Sequence, residues 1–262
     1  STEDVAATKE VRVIGTLPLL QANNGILSFG KTDPQTIELI LNSSIDSVRT
    51  ALLHNRASGP VQAVLVASGH GQEGRTTVAS QLSVSLARSG RRTLLLDGDM
   101  RNPQQHIVFG LSGDCGLCEV LRREASLEEV IQPTSAESLW LMPAGACDQM
   151  SLQALSGEVL AELFEELRSR FDFIVIDSGP VLNDAEPLLL GQHVDTTLIS
   201  VRRDLSKMPK IRSTCERLRA VGIPILGAVV NGVTSELRRN ETQITARPAA
   251  AADETQQPAI TS

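Results

Sequence analysis

Three short segments carry the residue types that bind phosphate and a divalent cation. The first is Ser68-Gly69-His70-Gly71-Gln72-Glu73-Gly74-Arg75-Thr76-Thr77. Gly69 and Gly74 hold the spacing of G-x-x-x-x-G-K-[ST], and Thr76 takes the hydroxyl position. Arg75 stands where that pattern has lysine. Such a loop wraps backbone N–H groups around phosphate oxygens and backs them with a helix N-terminus. The second segment is Asp97-Gly98-Asp99-Met100-Arg101, and the third is Asp177-Ser178-Gly179-Pro180. Each follows an apolar run. An aspartate at the end of a buried strand beside a phosphate loop holds Mg²⁺ or its waters. Alone, each could equally cap a helix; the conjunction of all three points to a nucleotide site.

Other polar positions read less sharply. Asp184 is expected to cap the helix that follows it, the alternative being that it touches the site. Asn231, before Gly232, could read a base edge with its amide or simply form a turn. Arg122-Arg123, Arg202-Arg203 and Arg238-Arg239 read as solvated surface. Cys115 and Cys118 form a lone C-x-x-C, with Cys147 and Cys215 apart. No second pair completes a zinc ribbon, so the thiols read as packing residues in a reducing cytoplasm.

The elements that must position these groups alternate along the chain. Apolar runs predict strands at Val11–Pro18, Val61–Ala67, Arg92–Asp97, Ser138–Met142, Phe173–Asp177, Thr197–Val201 and Ile225–Asn231. Three- and four-residue spacing predicts helices at Pro34–Ala57, Thr76–Ser89, Val159–Arg170 and Met208–Val221, with short ones near Leu117–Arg123 and Leu127–Ile131. Asn23-Asn24-Gly25 reads as a loop. Continuous apolar strands separated by helices imply an α/β fold: a mostly parallel central sheet with helices on both faces, its ligands at the carboxyl ends of the strands.

Composition narrows the functions. The 262 residues carry a formal charge of −7, and aromatics are 2%: one Trp, five Phe and no Tyr. That balance shows neither the basic face nor the stacking platform of a nucleic-acid binder, so no nucleic-acid partner is expected. No apolar run approaches the ~20 residues that span a bilayer. Residues 241–262 are rich in Ala, Thr, Gln and Pro and read as a disordered tail.

Over about residues 10–235 the chain resembles the bacterial tyrosine kinases (BY-kinases) of capsule and exopolysaccharide export, a phosphate-loop family related to the Min and Par ATPases. Leu94-Leu95-Leu96-Asp97-Gly98-Asp99-Met100-Arg101 matches the family's second Walker motif, three aliphatics then D-x-D-x-R. Ile174-Val175-Ile176-Asp177-Ser178-Gly179-Pro180 matches its Walker B. Glu73-Gly74-Arg75-Thr76 matches E-G-K-[ST] except at the lysine, and Gly15-Thr16-Leu17-Pro18 resembles the G-x-[IL]-P entry segment.

The resemblance implies ATP or ADP and Mg²⁺ as cofactors. Thr76, Asp97 (or Asp99) and Asp177 would serve the metal. Gly71, Gln72, Glu73, Gly74, Arg75, Thr76, Thr77, Arg101 and Asn231 would line the nucleotide. Arg75, Asp97 and Asp99 would be the catalytic groups. It also implies a juxtamembrane-like segment at 1–34 and a kinase-like domain at 35–240. The partner would be a membrane polysaccharide co-polymerase or its transmembrane segment, with the chain at the inner face of the membrane.

Three departures shape the expected activity. Arg75 replaces a compact ammonium with a planar fork, an exchange that is not conservative. The family's tyrosine-rich tail has no counterpart in a sequence without Tyr. The family's oligomer-forming E-x-x-R-x-x-R has Ser43, Asp46 and Arg49 at its three positions, which weakens homo-oligomerisation. The reading is therefore a weak or inactive kinase that regulates polymer assembly. An active kinase or ATPase acting on a partner is the alternative. A Min- or Par-like positioning ATPase is a third, against which His70 occupies the place of that group's signature lysine.

Overall fold

The computed structural model describes residues 11–18, 21–23, 26–28, 34–54 and 59–233. Its centre is an eight-stranded sheet. In chain order the strands are β1 (Val13–Pro18), β4 (Ala63–Ser68), β5 (Thr93–Gly98), β6 (Gln132–Pro133), β7 (Leu139–Met142), β8 (Phe173–Pro180), β9 (Thr196–Arg202) and β10 (Ile225–Val233). The spatial order is β1-β10-β9-β4-β8-β5-β7-β6. All pairings are parallel except β6 with β7 at one edge. The remaining two described strands, β2 (Gln21–Asn23) and β3 (Ile26–Ser28), pair antiparallel with each other. The segment read as a plain loop at Asn23-Asn24-Gly25 thus begins on a strand. Asn-Gly between short apolar runs is a strong hairpin signal.

The central strands are apolar on both faces because both are covered. Along β4, Ala63, Leu65 and Ala67 enter one core, while Val64 and Val66 enter the other. Leu94 and Leu96 against Leu95 on β5, and Ile174 and Ile176 against Val175 on β8, repeat the alternation. The second core is closed by α1 (Pro34–Leu53), through Leu41, Ile45, Val48 and Leu52, and by α2 (Arg75–Arg88), through Val78, Leu82 and Leu86. These residues recur every three or four positions, which aligns them on one helix face. The first core is closed by further helices. They include α4 (Leu117–Leu121), α7 (Glu158–Arg170), α8 (Glu186–Gly191) and α9 (Met208–Ala220).

Two short helices lack a sequence expectation: α3 (Gln105–Phe109) and α6 (Gln149–Ala154). Each is five or six residues long, too short for periodicity to declare itself. Side chains hold them instead. The Asp148 carboxylate accepts the Ser151 N–H at 2.8 Å at the start of α6. The remaining helix, α5 (Leu127–Val130), lies where the sequence places it.

One reading is corrected here. Arg122 is not solvated surface: its side chain is 10% exposed and bonds Glu119 and Glu124, each at 2.8 Å, and the Ala146 carbonyl at 2.9 Å. The cysteines are packing residues, as the sequence reads: Cys118 and Cys215 lie in the first core, and Cys115 and Cys147 pack against it. Cys118 is buried in the core, and burial pushes its thiol up to about 12, beside Cys147 and Ser151 rather than Cys115. Arg238-Arg239 and residues 241–262 lie outside the described residues. Among the described residues no helix is long and apolar enough to cross a membrane.

Candidate nucleotide site

The sheet order creates the site. The chain leaves β4, forms α2 and returns as β5, but β8 is inserted between the two strands. Asp177 on β8 is therefore in register with Val66 of β4 on one side and Asp97 of β5 on the other. Asp97 and Asp177 have the parity of Leu95 and Val175, whose side chains face α2. The loop of residues 69–74 closes over them from the end of β4.

Gly74 adopts φ +84° and turns the loop into α2. A Cβ there would fall 2.6 Å from Asn231 Nδ2. Asn231 is a brace for the loop. Its amide donates to the Glu73 carbonyl at 3.1 Å and to Ser200 Oγ at 2.8 Å. Ser200 Oγ in turn donates to the same carbonyl at 2.7 Å. Glu73 is itself buried. Its carboxylate accepts the His70 N–H at 2.9 Å and also bonds the Ser206 hydroxyl. Gln72, at φ +63°, offers its carbonyl to Arg202 at 3.2 Å. Gly71 is open on the side where a Cβ would point. Thr77 accepts a bond from Ser80 through its carbonyl, at 3.2 Å. Asn231→Leu is expected to cost about 1–3 kcal/mol in urea unfolding, because it removes a buried amide that bonds both the Glu73 carbonyl and Ser200 Oγ. An unchanged midpoint would remove Asn231 as a brace.

Arg75 is turned back beneath the loop. Its side chain is 8% exposed. Nη2 donates to Asp99 Oδ2 at 2.9 Å, while Nη1 donates to Ser68 Oγ at 2.7 Å and to the His70 carbonyl at 2.9 Å. Ser68 Oγ donates to that same carbonyl at 2.7 Å. Two donors thus hold the His70 carbonyl, in a loop whose expected use is to present N–H groups to phosphate.

The carboxylates differ in what remains available. Asp97 is buried, and Oδ2 accepts the N–H groups of Gln104 and Gln105, at 3.0 and 2.9 Å, at the start of α3. Asp99 Oδ1 accepts the Asn102 N–H at 3.1 Å. Asp177 Oδ2 accepts from Gln105 Nε2 at 2.8 Å, and the Thr76 hydroxyl also lies against this carboxylate. Asp177 Oδ1 is buried without a partner. Burial, with Asp177 facing it, pushes Asp97 up to about 7. Burial pushes Asp177 up to about 6 against the opposing pull of Arg75. Asp99 is also raised, burial outweighing its bonded Arg75.

Arg101 points outward. Its guanidinium, 58% exposed, binds Glu186 at 2.8 Å and Asp184 at 3.2 Å. Asp184 is therefore an ion-pair partner rather than the expected helix cap: the residue flanking α8 is Ala185, with no side-chain cap. Its oxygen lies 3.2 Å from where a Cβ on Gly179 would stand, and Asp99 Oδ1 lies 3.6 Å from the same point. Of the two places the sequence leaves open for Asp184, the cap and the site, the structure favours the second.

The residues fit Mg²⁺ in one respect. A buried carboxylate oxygen without a partner, beside a threonine hydroxyl at a helix start, is the donor set that Mg²⁺ takes when phosphates supply the rest. Among the described residues no three His, Cys, Asp or Glu side chains form a cage of their own.

Comparison with known proteins agrees with this geometry. Residues 61–208 match the family model AAA_31, described as an AAA domain. A putative tyrosine-protein kinase CapB of Staphylococcus aureus is 25% identical over 73% of this chain and 84% of its own length. A tyrosine-protein kinase ptk of Acinetobacter johnsonii is 29% identical over 80% of this chain, but over only 28% of its own. Among solved structures, the kinase domain of Escherichia coli tyrosine kinase ETK superposes with a TM-score of 0.76 at 21% identity, covering 94% of this chain and 95% of that one. The septum site-determining protein MinD of Pyrococcus horikoshii, solved with Mg-ADP, gives 0.56 at 26% identity, covering 68% and 76%. The chain belongs to the AAA_31 family of AAA domains, and within the phosphate-loop fold it resembles the tyrosine-kinase domains of bacteria.

Proposed function

We propose that this chain is the phosphate-loop domain of a bacterial capsule or exopolysaccharide assembly system, weak or inactive as a kinase, that regulates polymer assembly. The observation that carries the reading is the inward turn of Arg75. The one cation of the loop is bonded to Asp99, Ser68 and the His70 carbonyl. A nucleotide must break that buried ion pair and turn the carbonyl before the loop can cradle its phosphates. Thr76 and Asp177 would hold Mg²⁺, which when bound neutralises phosphate charge. Asp97 holds α3 through two backbone N–H groups. With Asp99 engaged by Arg75, neither catalytic carboxylate of the D-x-D pair stands free to accept a hydroxyl proton.

The partner we propose is a membrane polysaccharide co-polymerase or its transmembrane segment, which would hold the domain at the inner face of the membrane. Self-association is weak on this reading. Arg49 is committed within its own chain, to Asp46 at 3.0 Å and to the Ser85 carbonyl at 2.8 Å. A sequence without tyrosine offers itself no phosphate acceptor of that kind.

Calorimetric titration with Mg·ADP, native chain beside Arg75→Lys, tests the reading. One charge-assisted contact is worth about 1.5–3 kcal/mol. The lysine variant is therefore expected to bind roughly 10- to 100-fold more tightly, since each 1.4 kcal/mol is tenfold. Equal affinity would overturn the lock, and tyrosine phosphorylation of a partner at the rate of active relatives would overturn the reading of a weak kinase.

A further inference from the structure

Gln105 opens α3 and is fully buried. Its backbone N–H donates to Asp97 Oδ2 at 2.9 Å. Its side-chain Nε2 donates to Asp177 Oδ2 at 2.8 Å and to the Thr76 carbonyl at 3.2 Å. One residue therefore ties the carboxyl ends of β5 and β8 to the first turn of α2. Two oxygens at this junction, Gln105 Oε1 and Asp177 Oδ1, are buried and without partners. A glutamine amide can accept two bonds through its oxygen, and a buried acceptor left empty costs free energy. A cap for α3 needs only the backbone N–H, which Asp97 already takes. The side chain carries an unsatisfied oxygen and bonds a carboxylate that has one too, so it has a reason of its own to be polar.

We infer that Gln105 is a positioning residue of the cation site: Nε2 fixes the Asp177 carboxylate against Thr76, and Oε1 is the acceptor for a water carried by a divalent ion. The inference rests on the nucleotide reading of the loop. Residues that hold a metal's ligands in place change metal affinity by roughly 10- to 100-fold when removed. A purely structural Gln105 would change fold stability and all ligand binding together. A positioning Gln105 changes only the part of the affinity that depends on the ion.

The test uses calorimetry with ADP on the Arg75→Lys chain and on the same chain with Gln105→Met, each with Mg²⁺ and with EDTA. The gain in affinity that Mg²⁺ confers is expected to fall by roughly 10- to 100-fold in the methionine variant. The affinity in EDTA is expected to stay unchanged, which also shows the variant folded. Gln105→Asn keeps an amide but is too short to span Asp177 and the Thr76 carbonyl. It supplies the comparison where the methionine variant does not fold, with the same direction of change expected. An unchanged Mg²⁺ gain overturns the inference, and so does equal weakening in both conditions. An Arg75→Lys chain that binds no ADP in either condition overturns the nucleotide reading and this inference with it. ADP binding with an intact Mg²⁺ gain in Gln105→Met overturns this inference alone.

Discussion

Asp177→Asn is expected to make the protein more stable at pH 8, by roughly 2–3 kcal/mol, while removing a carboxylate from the proposed cation site. The cause is an unrelieved burial. Asp177 is 1% exposed and stands in register with Asp97. Both folded-state values are raised, to about 6 and about 7, above the ordinary carboxylate value near 3.8. Between these limits the folded state holds more protons than the unfolded one. Stability therefore falls as pH rises, with the loss concentrated between about pH 4 and pH 7. The favourable contribution is present in acid and gone above pH 7, the reverse of a salt-bridged aspartate. Asparagine keeps an oxygen for Gln105 Nε2 and removes both the buried charge and its repulsion of Asp97. Urea unfolding from pH 4 to pH 8, without divalent cation, should show a shallower decline in the variant. A steeper one, or a less stable variant at pH 8, would mean that the carboxylate is compensated by groups other than those described. On the proposed function, the chain tolerates this costly group for binding.

How far the sequence led depended on the range of the interaction. Asp97 and Asp177 were legible because each ends a run of aliphatics that can only be a buried strand. Gly69 and Gly74 were legible because spacing along the chain fixes a loop. The direction of Arg75 was not legible. It depends on Asp99, 24 residues away, and on the His70 carbonyl, and a pattern match records only that a cation is present. Asp184 and Arg101 illustrate the same limit: capping is a local rule, and the ion pair that displaces it joins the ends of β5 and β8 across the sheet. Helix α3 is a third case. Five residues have no period to read, and the Asp97 carboxylate that nucleates it was already assigned to the metal. Arg122 looked like surface because doublets of arginine usually are, yet Glu119, Glu124 and the Ala146 carbonyl enclose it.

Asp99→Ala is expected to destabilise the protein by about 3–5 kcal/mol, the cost of leaving one member of a buried ion pair alone. The side chains of Arg75 and Asp99 are 8% and 10% exposed, so water cannot take the place of the lost carboxylate. Asp177 and Asp184 still attract the Arg75 guanidinium, which limits the loss. The pair itself contributes little net stability, because desolvating two charges offsets much of their attraction. Arg75→Met combined with Asp99→Leu is therefore expected to recover most of what Asp99→Ala loses. The shortfall should come from the Asn102 N–H that Asp99 Oδ1 accepts and from the bonds of Arg75 Nη1 to Ser68 Oγ and the His70 carbonyl. Thermal and urea unfolding of the single and double variants measures this coupling directly. If Asp99→Ala unfolds at the native midpoint, Arg75 is not held by Asp99, and a nucleotide would have no ion pair to break. If the single variant is destabilised and the double variant is not, the pair acts as a latch rather than a strut. Its role then lies in what it excludes from the loop, and Arg75 governs nucleotide affinity through a contact that the fold does not need.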